Sequence, residues 1–355
     1  TAVIGLDGAW LWVDGRYFLQ AGAQLEGTTV ELMKMGEPGV PTLDAFLDSK
    51  LVKGDKLGFD GRVVSMDEGS LYEGIALKHG GCIEYSLDLI DEIWTDRPPL
   101  SEKPAFELDV KYAGKAVADK LSDIREKMAA AEADMHVVTT IDDICWTLNI
   151  RGDDIDFFPL ILSYALMDDK AYHLYIDERK LSDEIKAHLT ADGVVLHPYN
   201  DIYEDIKHIP ADAKLMLDAS KVNYAMFCNI PDSVKKIDVM NPEMIFKNVK
   251  NPVELENIRK AQIKDSIAHL RFMKWLKENV GKIEMTEISV SDKLDEFRKE
   301  MGNFIRPSFE PISSYGAHAA IVHYAPTPES DIPVLPKGMH LTDTGAGFYE
   351  GSTDI

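Results

Sequence analysis

Cysteine is scarce in this sequence. There are three in 355 residues, Cys82, Cys145 and Cys228, odd in number and far apart. That spacing excludes a disulfide framework and a cysteine-built metal site, and leaves three small apolar side chains suited to a reducing compartment. No apolar run reaches the length of about 18 residues that a membrane-spanning helix needs. No glycine-rich phosphate loop of the dinucleotide or P-loop type occurs. Basic residues are outnumbered, 38 Lys and Arg against 61 Asp and Glu, for a net charge of −23. A surface this acidic repels phosphate backbones and anionic membranes. Nucleic acid and membrane are therefore not expected as partners, and a soluble cytoplasmic enzyme is. No signal peptide is visible, but Thr1 is not a natural start and the chain opens inside a strand-like stretch. Both ends read as cut.

What is present is ordinary globular composition, 45% hydrophobic and 28% charged, in a length that suits two or three domains. Residues 1–110 read as an α/β domain, incomplete at its start. Two apolar runs, Thr1–Ile4 and Ala9–Val13, flank a Leu6-Asp7-Gly8 hairpin signal. A helix is expected from Arg16 or Tyr17, a strand over Glu31–Met35, a strand over Lys56–Phe59 and a helix from Ser65 to Lys78. The Pro-rich stretch from Trp94 reads as an interdomain linker. Residues 111–240 alternate strands and helices, which argues for a βαβ-type sheet. Val117, Leu121, Ile124 and Met128 mark one helix face. His136, His173, His188, His197 and His208 lack ligand spacing and read as core or surface histidines. Residues 241–355 begin helical. Asn251 and Pro252 start a long helix with Ile263, Ile267, Leu270, Met273 and Leu276 as the stripe that should cover a sheet. Thr286 starts a second, striped by Val290, Leu294, Phe297 and Met301. The sheet is expected to begin near Phe309. The fold class is α/β followed by α+β.

The richest chemistry lies between Pro311 and Ile355, in Asp343, Asp354 and His323, framed by glycines and small hydroxyl residues. Leu341–Ala346 and Gly351–Ile355 read as strands folded about a reversal at Phe348–Gly351. Pairing would set the two aspartates opposite or nearly opposite, about 5 Å apart at Cβ. Carboxylates that close repel unless a cation binds them or one keeps a proton, and all-oxygen ligands favour Mg, Ca or Mn. The plainer alternative is two turn-forming, solvated aspartates. Arg16 likewise reads as a surface arginine beside a turn, and Phe309 as core.

The segments SFEPISSYGAHAAIVHYAP and LTDTGAGFYEGSTDI resemble the aminopeptidase P (Xaa-Pro aminopeptidase) family, of the cytosolic three-domain type. VDGRYFLQA, ELMKMGEPGVPTL and IWTDRP resemble its N-terminal domain. KNPVELENIRKAQIKD and TEISVSDKLDEFR resemble the opening helices of its catalytic domain. The resemblance implies two creatinase-like α/β domains followed by the start of a pita-bread metallopeptidase domain. It implies two divalent metal ions, manganese foremost, held by Asp343 and Asp354, with Asp354 bridging both. A hydroxide shared by the ions would hydrolyse the bond before a proline in second position. His323 would contact the peptide at the scissile bond, Phe309 would line the proline pocket and Arg16 would reach the peptide. The family completes its site with one His and two Glu further along than Ile355, and is often homodimeric. A non-catalytic pita-bread module that binds peptides or proteins, and a prolidase-type dipeptidase, are the alternatives.

Overall fold

A computed structural model describes all residues from Thr1 to Ile355. The chain packs as two compact units, one made of residues 1–50 and 256–355, the other of residues 51–255.

In the second unit a six-stranded sheet runs in the order Val194–His197, Tyr172–Ile176, Ser163–Met167, Met135–Val138, Lys214–Leu217, Lys235–Asp238. Only Ser163–Met167 runs against its neighbours, because it is joined to Tyr172–Ile176 by a short hairpin. The other pairs are parallel. Parallel strands need crossover helices, which bury both faces. One face packs on Leu121, Ile124 and Met128 of the helix Val117–Ala130. The other packs on Ile202, Ile206, Val222 and Met226. The βαβ expectation and the Val117 stripe are therefore borne out. Earlier in the unit, Lys56–Gly58 pairs in parallel with Cys82–Glu84 across the helix Met66–Lys78. That helix opens with the reciprocal Ser65–Glu68 capping box. The Pro-rich stretch after Trp94 carries no helix or strand until Phe106, yet it lies inside this unit, where Glu102 pairs with Arg179 and Lys103 with Asp153.

In the first unit, the hairpin Ala2–Ile4/Ala9–Val13 is extended in parallel by Val30–Lys34. Trp10, Trp12 and Met33 close over Phe46, whose ring lies 4.9 Å from each indole. The later part of the unit sets two helices, Pro252–Asn279 and Glu287–Glu300, against short antiparallel strands. Phe304–Pro307, Ala346–Phe348 and Gly351–Ser352 form one sheet, and Ile312–Tyr315 with His340–Asp343 a second. The first of these strands begins at Phe304, ahead of the expected Phe309.

The stripe of the long helix is a correction. Its buried residues are Asn257, Ala261, Asp265, Ala268 and Phe272. Ile263, Ile267 and Leu270 are 61%, 42% and 66% exposed. The helix carries two faces, and hydrophobic periodicity picks the wrong one. The small alanines admit close approach, and Asp265 is buried because Arg298 meets it there. The second helix behaves as expected, with Val290 and Leu294 in the core.

Candidate metal and peptide site

The predicted strand Leu341–Ala346 breaks at Thr344. His340–Asp343 pairs with Ile312–Tyr315, placing Asp343 across from Ile312. Ala346–Phe348 then changes partner and pairs with Phe304–Pro307 and Gly351–Ser352. The reversal at Phe348–Gly351 is present as a two-residue loop, with Phe348 across from Gly351. Thr344 and Ile355 exchange both backbone hydrogen bonds, at 3.0 and 2.8 Å. Continuing that register sets Asp354 across from Gly345. Asp343 is therefore not opposite Asp354 but two residues along the same face, the diagonal position, about 7–8 Å away at Cα.

Residue alternation then separates two faces. Asp343 and Asp354 are exposed, whereas their neighbours Thr344 and Thr353 are buried. Beneath the threonines lies a buried ion pair. Arg298 Nε donates to Asp265 Oδ1 at 2.7 Å, and Nη2 donates to Asp265 Oδ2 at 3.3 Å and to Thr344 Oγ1 at 3.0 Å. Thr353 Oγ1 donates to Asp265 Oδ2 at 2.5 Å. Both hairpin strands are thus pinned from below, one residue away from each exposed aspartate. Gly345 is buried, and its missing side chain lets Ser308 and Phe309 close onto the backbone. A Cβ there would stand 2.1 Å from Ser308 Oγ and 2.8 Å from Phe309 Cε1. Half-buried Phe309 consequently lies against the hairpin beside the aspartates.

His323 and Arg16 form a second grouping. His323 is exposed, and its ring packs on Tyr17 with centroids 5.6 Å apart. Its backbone sits at φ 59°, a left-handed conformation costly for a residue with a Cβ. The loop is held on either side. Buried Glu287 accepts from the Tyr315 backbone N–H at 2.5 Å, from Tyr324 Oη at 3.0 Å and from His318 Nδ1 at 3.1 Å. Arg16 forks onto Asp14, Nε to Oδ1 at 2.9 Å and Nη2 to Oδ2 at 2.8 Å. That hydrogen bonding holds the Asp14 carboxyl down at about 2, with the nearby His323 a lesser influence. Neither a hydrogen bond nor a ring contact joins this grouping to Asp343 or Asp354. Sequence reasoning did not single out Tyr17, Asp14 or Glu287. The first two lie inside the VDGRYFLQA segment already quoted and Glu287 inside TEISVSDKLDEFR, but no spacing rule marks any of them as functional.

No group of three or more His, Cys, Asp and Glu side chains is arranged to hold a metal ion. The two aspartates are an all-oxygen pair, the donor type that hard divalent cations prefer. By themselves they would supply only part of a coordination shell.

Residues 96–254 match the creatinase/prolidase N-terminal domain and residues 256–355 match metallopeptidase family M24. The chain is 35% identical over 369 residues to a probable Xaa-Pro aminopeptidase P of Sordaria macrospora, covering 100% of this chain and 60% of the relative. It is 35% identical over 388 residues to aminopeptidase P2 of Arabidopsis thaliana, covering 100% of this chain and 54% of that one. The crystal structure of an X-prolyl aminopeptidase from Caenorhabditis elegans, described as a cytosolic enzyme with a di-nuclear active site, superimposes with a TM-score of 0.95. Identity there is 33%, over 100% of this chain and 59% of the other. The chain thus spans a little over half the length of the relatives it matches. The two domain matches in sequence, the identity along the whole chain and the shared creatinase and pita-bread folds together show that it belongs to the Xaa-Pro aminopeptidase P family.

Proposed function

We propose that this chain carries the peptide-binding groups and the first metal ligands of a metal-dependent aminopeptidase that removes the residue preceding a proline in second position. The observation that carries the reading is the two-faced hairpin, with Asp343 and Asp354 exposed side by side above a buried, hydrogen-bonded support. A divalent cation relieves the repulsion that such a pair otherwise bears. Asp343 and Asp354 would hold two ions, manganese foremost. When bound, the ions supply an activated water and polarise the scissile carbonyl. The remaining work falls to the chain's own side chains. Phe309, beside Gly345, offers an aromatic wall to the rigid proline ring. His323, held on a loop anchored by Glu287, donates a hydrogen bond toward the carbonyl oxygen as negative charge develops there. Arg16 has one edge committed to Asp14, and its remaining N–H groups are available to a peptide carbonyl or carboxylate. Within this reading the division into modules at about residues 110 and 240 follows the family's architecture, the enzyme is cytoplasmic, and it works as a homodimer.

The test is calorimetric Mn²⁺ titration with an Arg-Pro-Pro cleavage assay. It is run on this chain and on one extended to the relatives' length, with light scattering for the oligomeric state. Tight binding and cleavage by the extended form, abolished in Asp354→Ala, are expected. No metal uptake and no cleavage in either form would replace the reading with that of a non-catalytic peptide-binding module.

A further inference from the structure

At the edge of the six-stranded sheet, far apart in sequence, two histidines meet. His173 lies on Tyr172–Ile176 and His197 at the end of the parallel edge strand Val194–His197. The register sets His197 across from Tyr175, whose ring stacks on it at 4.8 Å. His173, two residues earlier on the same face, is the diagonal neighbour. His173 Nδ1 and His197 Nε2 are 2.9 Å apart. Each outer nitrogen faces a carboxylate, His173 Nε2 at 3.7 Å from Asp168 Oδ2 and His197 Nδ1 at 3.9 Å from Asp205 Oδ2. Those carboxylates are themselves tethered. Asp168 Oδ1 accepts from the backbone N–H of Lys170 and of Ala171, at 2.8 and 2.7 Å. Asp205 Oδ2 accepts from Tyr175 Oη at 2.9 Å.

A neutral imidazole carries one N–H and one bare lone pair. If each outer nitrogen carries the proton that its carboxylate calls for, the inner nitrogens face each other as two lone pairs. A cation between them resolves that mismatch. A carboxylate behind the far nitrogen is also the usual arrangement at a metal-bound imidazole, and here both carboxylates stand just beyond hydrogen-bond distance. With metal–nitrogen bonds of about 2.0–2.1 Å, two tetrahedral ligands stand about 3.3–3.4 Å apart. The rings need to part by about 0.4–0.5 Å and to turn so that both lone pairs converge on the ion rather than on each other. Both side chains are 26% exposed, so water can reach the remaining positions.

We propose that His173 and His197 form a two-imidazole site for a borderline divalent cation, Ni²⁺, Cu²⁺ or Zn²⁺, completed by water and oriented by Asp168 and Asp205. Imidazole prefers these ions, whereas the all-oxygen pair Asp343 and Asp354 prefers harder ones. The site is therefore independent of the aminopeptidase reading.

The experiment is calorimetric titration of the full chain with Ni²⁺ at neutral pH, in excess Mn²⁺. One Ni²⁺ per chain is expected, lost in His173→Gln and in His197→Gln. It is retained in Asp354→Ala and in the exposed control His208→Gln. Asp168→Asn keeps both ligands and is expected to weaken binding about 10–100-fold. Thermal unfolding of each variant confirms that it is folded. No uptake by the wild-type chain, or uptake unchanged in both ligand variants, overturns the proposal and leaves the close contact to a shared proton.

Discussion

The buried pair beneath the hairpin makes a quantitative prediction through Arg298→Met. The Arg298 and Asp265 side chains are 1% and 0% exposed. Methionine keeps much of the apolar stem but removes both donors that Arg298 gives Asp265, leaving the carboxylate with only the Thr353 hydroxyl. Breaking a buried pair from one side costs about 3–5 kcal/mol. Thr344 loses its guanidinium partner as well, for about a further 1 kcal/mol. The first unit should therefore lose about 4–6 kcal/mol, a large share of what holds a domain folded. The double variant Asp265→Leu/Arg298→Met removes both fully buried charges, leaving only part-buried Asp295 without its guanidinium partner, and should recover most of the loss. Urea unfolding followed by tryptophan fluorescence reads this out, because Trp275 packs against the adjoining core. A single variant that loses less than about 1 kcal/mol, or a double variant whose loss is the sum of the singles, would refute the reasoning.

Three further outcomes follow from the same structure. Gly345→Ala puts a Cβ 2.1 Å from Ser308 Oγ and 2.2 Å from the Thr353 carbonyl oxygen. It should cost about 1–3 kcal/mol in urea unfolding and weaken Mn²⁺ binding by displacing Asp354. Lys120 is buried against the Trp146 carbonyl and Asn149, and burial pulls its pKa from 10.5 to about 7. Between those values the unfolded chain holds a proton that the folded chain has released. Stability of the second unit should therefore rise with pH across that window, by about 1.4 kcal/mol per unit from this group; urea midpoints of Lys120→Met should lack the increment. Glu287→Gln disturbs a carboxylate serving Tyr315, His318 and Tyr324. It should cost about 1–3 kcal/mol and expose the 316–324 loop to faster proteolysis; unchanged cleavage kinetics would show that the loop is held by other contacts.

Much of the architecture is written locally and is legible for that reason. Ser65 with Glu68, and Asn251 with Glu254, announce helix starts because capping is a contact between residues three apart. Val117, Leu121, Ile124 and Met128 announce a buried face because that helix has only one apolar side. Asp343, Asp354, His323, Arg16 and Phe309 stand out through motifs, and the structure adds where each one sits. What escaped was non-local. Asp265 and Arg298 lie on different helices, and their pairing turns a polar face inward while Ile263 and Leu270 face outward. The change of partner at Thr344 depends on where three separate strands end. His173 and His197 meet because two parallel strands happen to be adjacent, and no spacing rule along a chain records adjacency in a sheet.

The alternation along the hairpin also bears on how such a chain could change over generations. Asp343 and Asp354 face outward, while Thr344 and Thr353 face the ion pair that keeps the hairpin in place. On the proposed reading, metal binding and architecture are therefore encoded by neighbouring but separate codons. A descendant freed from that proposed role could lose both aspartates and remain soundly folded, provided that the threonines, Asp265 and Arg298 stayed. The reverse order is closed, because losing the support would take the outward carboxylates with it. Drift from catalyst to binding module has an open route through this hairpin, and the relics it would leave are the inward-facing residues.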